Sequence, residues 1–150
     1  MYTTSIRRHI AAPRSDVYRA LIDARAVERW MVPDGMTSVV HELEPWEGGA
    51  FRISLTYDEP TAAGKSTAHT DTQRGRFVRL VENELVVQSV AFESDDAAMA
   101  REMTITYTLT DADGGTELHA VHEGVPDSVP PEDNELGWSM SLAKLAALVE

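Results

Sequence analysis

The sequence predicts an α+β fold: a curved antiparallel sheet wrapped around one long C-terminal helix, with two short helices after the first strand. Three observations carry that expectation. The chain closes on an apolar stripe at Trp138, Leu142, Leu145 and Val149, with Ser141 and Leu148 beside it, which is the spacing of a helix burying one face. Between Met36 and Glu123 the segments have the composition of strands joined by glycine turns. Ahead of that block stand one strand-like and two helix-like stretches. A sheet made of hairpins leaves one face in need of a cover, and the terminal helix supplies it.

Taken in order, Ser5 to Ala11 alternates around Ile6 and Ile10 as a half-buried first strand, and it stops at Pro13. A proline is tolerated at the first helical position because its missing amide proton has no helical partner, so Pro13 opens a helix through Ile22 with Val17 and Leu21 inward. Ala24 to Met31 forms a second short helix presenting Val27, Trp30 and Met31, ended by Pro33 and Gly35. Met36–Glu44 and Ala50–Tyr57 flank a turn with Gly48 and Gly49 and read as a hairpin. After a loop from Asp58 to Gly64, Thr67 to Val81 is a long strand in which Gly75 marks a bulge or bend. Leu85–Phe92 follows a turn at Asn83. Met103, Ile105, Tyr107 and Leu109 then alternate with four threonines, and Gly114 and Gly115 turn the chain into Thr116–Glu123. Prolines 126, 130 and 131 keep the chain extended until Asp133 or Asn134 caps the last helix.

Length and charge exclude several functions. The 150 residues suit a single domain spanning 1–150. A net charge of -12, from 13 basic and 25 acidic residues, repels phosphates, so nucleic acid is not an expected partner. No stretch reaches the roughly 18 apolar residues of a membrane span, and Met1–Ala12 lacks the apolar run of a secretory signal. The expected location is the cytoplasm, without membrane insertion. Cysteine is absent, which removes disulfides, thiolate nucleophiles and cysteine zinc sites.

Six short patterns follow one another along the chain: Ala12-Pro13 with Val17, Ala20 and Leu21; Arg29-Trp30 with Pro33 and Gly35; Gly48-Gly49-Ala50-Phe51; Gly75 before Phe77 and Val78; Gly115-Thr116 with Leu118; and Gly137-Trp138 with Leu142 and Leu145. In that order they resemble the START-like, or SRPBCC, superfamily and its helix-grip fold. Within it the chain is most similar to domains related to the C-terminal part of the activator of the heat-shock chaperone (HSP90) ATPase. The resemblance implies an interior cavity between sheet and long helix. The superfamily includes lipid and hormone carriers, aromatic polyketide cyclases, plant ligand sensors and chaperone activators, so fold alone does not choose among them.

The residues narrow the choice. His119 and His122 are three apart on one strand and point to opposite faces, so they cannot share a metal ion. His122 faces inward with Thr116, Leu118 and Ala120, either as a core-edge imidazole bonded to a neighbour or as a ligand contact. Tyr107 either fills the core or offers its phenol to an apolar pocket. Trp138 walls one end of the interior, where Gly137 allows close approach to the sheet, and Trp30 closes the other side. Met36, Met103 and Met140 add adaptable walls. His41 and His69 are expected at the surface. Phosphate loops, dinucleotide fingerprints and nucleophile elbows are absent, and Glu93, Asp95 and Asp96 have no ligand spacing.

The first expectation is therefore a module that binds a small hydrophobic or aromatic molecule, with Trp30, Phe51, Met103, Ile105, Tyr107, His122, Trp138 and Ser141 as contacts. It needs no cofactor or metal and has no assigned catalytic residue. The alternatives are a cyclase- or hydratase-like enzyme using His122 or Tyr107 to move a proton, and a module acting on a chaperone. A chaperone or a second copy of the chain is the protein partner that the resemblance implies.

Overall fold

The computed structural model describes residues 1–59 and 69–150. β1 (Tyr2–Ile10) leads into α1 (Arg14–Ile22) and α2 (Ala24–Trp30). Then come β2 (Met36–Leu43), β3 (Ala50–Tyr57), β4 (Thr70–Val81), β5 (Leu85–Phe92), β6 (Met103–Ala112) and β7 (Gly115–Val125), and α3 (Pro131–Val149) ends the chain. Among the described residues the seven strands form one curved, unclosed antiparallel sheet in the order β1-β7-β6-β5-β4-β3-β2. From β2 to β7 each strand pairs with its successor, and β1 closes the far edge on β7. The loop residues 60–64 and the expected strand start at Thr67 lie outside the described residues.

Register explains which residues face inward. Residues directly opposite in an antiparallel pair share a face. Ile105 pairs with His122, Tyr107 with Ala120 and Leu109 with Leu118, so the apolar row of β6 and the alternate residues of β7 form one inner surface. The threonines between them point outward, Thr108 and Thr110 into solvent. α3 lies across this inner face against β1, α1 and α2, with Leu142 and Leu145 fully buried. Between α1 and α2, Asp23 accepts from the Ala26 amide at 2.9 Å and caps α2. Trp30 closes α2 by donating its Nε1–H to the Ala20 carbonyl at 2.8 Å inside the core. No helix among the described residues is long and apolar enough to cross a membrane.

Three local expectations are corrected. The last helix is not capped by Asp133 or Asn134, because it starts earlier, at Pro131, with Pro130 in the cap position and no side-chain cap. A proline at the first turn has no amide to be capped. Glu132 and Asp133 fall in that turn, where negative charge suits the helix dipole. The bulge in β4 is at Val78, where the register shifts between Phe77 and Arg79, and not at Gly75. Gly75 serves close packing instead: a Cβ there would stand 1.9 Å from the Ser89 carbonyl oxygen and 2.8 Å from Phe51 Cζ. Nor does Gly137 bring α3 against the sheet, since a Cβ at that position would meet Pro33 at 3.8 Å.

Candidate functional site

The space between α3 and the sheet divides into two halves. Toward β5 and the middle of β6 it is filled: Tyr107 packs edge-on against Trp30 at 6.3 Å, and Phe51 lies against Phe77 at 5.5 Å. Toward the first half of α3 it is a cleft of about 500 Å³, within the range that holds small organic ligands. The sheet wall of the cleft includes Leu55 and Tyr57 on β3, Asp71 and Gln73 on β4, Met103 and Ile105 on β6, and His122 and Val125 on β7. Asn134, Trp138 and Ser141 of α3 face them, and Met31 and Pro33 close a side. Of the residues expected from sequence, Met103, Ile105, His122, Trp138 and Ser141 line this cleft. Trp30, Phe51 and Tyr107 do not, being packed in the filled half.

Met36, Met103 and Met140 line the cleft, as expected from sequence, whereas Met31, Met99 and Asn134 were not expected there. Met31, Met36, Met99, Met103 and Met140 all line the cleft, so every methionine of the chain except Met1 is gathered there. Met31 and Met99 sit outside the strands, where no periodicity points to a face. Three of the sulfurs also accept hydrogen bonds: Met99 Sδ from the Ser128 hydroxyl at 3.0 Å, Met140 Sδ from the Asp34 amide at 3.4 Å, and Met103 Sδ from His122 Nε2 at 3.2 Å. Asn134 is the other omission. Thr4, opposite His122 across β1 and β7, donates its hydroxyl to Asn134 Oδ1 at 2.5 Å, which turns the amide nitrogen toward His122 Nδ1 at 3.3 Å.

The protonation of His122 follows from its partners. Trp138 Nε1–H, which can only donate, points at His122 Nδ1 from 3.2 Å, and the Asn134 amide nitrogen points at the same atom. Nδ1 is therefore the acceptor and the proton sits on Nε2, directed at the Met103 thioether. Burial depresses the imidazole pKa from 6.5 to about 4, so the ring is neutral at pH 7. Neither ring nitrogen has a free lone pair, so His122 itself offers no seat for a metal ion and no base for proton abstraction. Among the described residues no group of three or more His, Asp or Glu is placed to hold a metal.

The family model described as "Activator of Hsp90 ATPase homolog 1-like protein" matches residues 11–150. The chain belongs to this family. The chain is similar to a protein of Chromobacterium violaceum whose crystal structure is 35% identical, covers 99% of this chain and 97% of its own, and superposes with a TM-score of 0.88. A Rhodobacter sphaeroides protein at 20% identity, covering 98% and 91%, has a TM-score of 0.79. The Aha1 dimer of Colwellia psychrerythraea, at 14% identity and covering 100% and 97%, has a TM-score of 0.70. The last two likenesses show the fold alone. No curated protein matches the chain. The fold is that of a ligand-binding or chaperone-activator-like domain.

In this AHSA1-like chain Tyr107 joins the filled half to the cleft, with Trp30 on one side and Trp138 edge-on at 5.8 Å on the other. Its hydroxyl is buried and finds no hydrogen-bond partner among the described residues, and burial pushes its pKa well above the usual phenol range. An unpaired buried hydroxyl costs stability. Tyr107→Phe is therefore expected to raise the unfolding free energy by about 1 kcal/mol, measured by denaturant titration. A loss of similar size would mean that the hydroxyl has a partner in solution.

Proposed function

We propose that this protein binds a small, largely apolar or aromatic molecule in the cleft between α3 and the sheet, and acts as a cytoplasmic carrier or sensor of it. The observation that carries this function is the gathering of five of the six methionines on the walls of one cleft of about 500 Å³. Methionine is unbranched and polarisable, and it adapts to irregular apolar shapes better than Leu or Ile. Trp138 and Ile105 add apolar area, while His122, Asn134 and Ser141 supply a few polar points, the usual composition of a ligand site.

Proton-transfer catalysis has less support. His122 offers a donor but no base, and Tyr107 does not line the cleft. A screen of fatty acids, aromatic polyketides and sterol-like compounds tests the binding function. A compound present at a hundred times its dissociation constant and bound only by the folded state raises the unfolding free energy by about 2.7 kcal/mol. Hits are expected to weaken in Trp138→Ala, and a screen without stabilisation would count against the cleft as a binding site.

A second function, modulation of a chaperone, is favoured by the description of the family and by exposed apolar side chains away from the cleft. Trp46 is 57% and Val78 50% exposed, and Phe77, next to Val78, exchanges backbone hydrogen bonds at 2.8 and 2.9 Å with Gly48 and Gly49, which share a turn with Trp46. Self-association has parallel support from the dimeric Aha1 of similar fold.

A further inference from the structure

The donors and charges around the cleft restrict the chemistry of its ligand, provided the binding function above holds. His122 presents Nε2–H to the cleft, since Nδ1 already accepts from Trp138 and Asn134. That N–H meets Met103 Sδ at 3.2 Å. A thioether is a weak acceptor, so an oxygen arriving at this point forms a stronger hydrogen bond than the contact it displaces. Met103 is unbranched and can move aside.

The charges run against anions. Among the described residues no Lys or Arg lines the cleft, whereas Asp34, Asp71 and Asp133 do. Lys144, beside Asp34, is already held by the Val32 carbonyl at 2.6 Å and by the Asp34 carboxylate at 3.1 Å. His122 stays neutral at pH 7 through burial and offers no positive charge. A carboxylate or phosphate entering here would lose its hydration and find no counter-ion among the described residues.

We infer that the cleft selects an uncharged, mainly apolar molecule carrying a hydrogen-bond-accepting oxygen, such as a ketone, ester or amide carbonyl, with that oxygen on His122 Nε2–H in place of the Met103 thioether. His122 is thus the specificity-determining residue, and the same pocket discriminates against fatty acids and other carboxylates of matching size.

Three probes of nearly equal shape test this: 2-acetylnaphthalene, which has the acceptor; 2-isopropenylnaphthalene, which lacks it; and 2-naphthoate, which carries a charge. Equilibrium binding at pH 7.5 is read from tryptophan fluorescence. The ketone is expected to bind about five- to tenfold more tightly than the hydrocarbon, the value of one neutral hydrogen bond. The naphthoate is expected to bind at least about a hundredfold more weakly than the ketone, because a buried unpaired charge is costly. His122→Phe, which keeps an aromatic ring in place, is expected to erase the gap between ketone and hydrocarbon. If that variant does not fold, the Nε2 proton resonance of His122 in the wild-type protein serves instead: it shifts with the ketone and not with the hydrocarbon. Equal binding of ketone and hydrocarbon, or naphthoate binding as tight as the ketone, would overturn the inference while leaving the cleft a binding site. Failure of all three probes to bind would overturn both.

Discussion

Leu145→Ala is expected to lower the unfolding free energy by about 2–5 kcal/mol, the cost of deleting buried methylenes and leaving a cavity that the surroundings cannot close. Leu145 is 0% exposed and belongs to the same core cluster as Leu142, Trp30 and Tyr107. It is not among the residues that line the cleft, so the cavity would open in the packed part of the interior, where close packing limits collapse. The upper part of the range is therefore the expectation. Denaturant titration of wild type and variant measures it, and a loss below about 0.5 kcal/mol, far under the range for a packed leucine, would mean that α3 does not grip the sheet.

Acid is the second large perturbation. His122 is held at a pKa of about 4 in the folded protein against 6.5 when free, and burial is the cause. Above pH 6.5 the ring is neutral in both states and contributes no pH dependence. Between pH 6.5 and 4 the unfolded chain binds a proton that the folded protein refuses, so stability falls by about 1.4 kcal/mol per pH unit and by about 3 kcal/mol in all. Below pH 4 both states carry the proton and this contribution stays constant. The expected result is a steeper loss of stability from pH 6.5 to 4 in the wild type than in His122→Gln, whose side chain does not titrate. Glu93, whose pKa is lowered by its ion pair with Arg52, loses that support only at the acid end of the range and does so equally in both proteins. Parallel pH profiles would show that His122 is not buried as a neutral donor.

The architecture was legible because its longest elements carry strong periodicities. The alternation of β6 and the helical stripe of α3 each specify a face, and hairpin order supplies the sheet. Periodicity says which way a side chain points but not what lies above it. Met103, Ile105, Tyr107 and Leu109 all face inward, yet the first two border the cleft while Tyr107 lies beneath aromatic packing. The same holds on β3, where Phe51 is in the filled half while Leu55 and Tyr57 border the cleft. Side-chain hydrogen bonds between distant parts of the chain were not legible. Asn134 read as a helix cap because such residues usually are; its amide instead ties Thr4 to His122 across the width of the fold. The tautomer of His122 depends on Trp138, which no local pattern associates with it. Of the five cleft methionines, Met36, Met103 and Met140 were legible as walls, while Met31 and Met99 sit in connections that have no period.

The binding function is tested most directly by the methionine methyl resonances of the protein labelled at methionine with carbon-13 and titrated with 2-acetylnaphthalene. The five methyls of Met31, Met36, Met99, Met103 and Met140 surround the cleft, and Met1, 63% exposed, serves as an internal control. Saturable shifts in Met103 and in most of the other four, with Met1 unmoved, are the predicted result. Stabilisation of the protein by the ligand with all five cleft methyls unmoved would place the ligand elsewhere and contradict it.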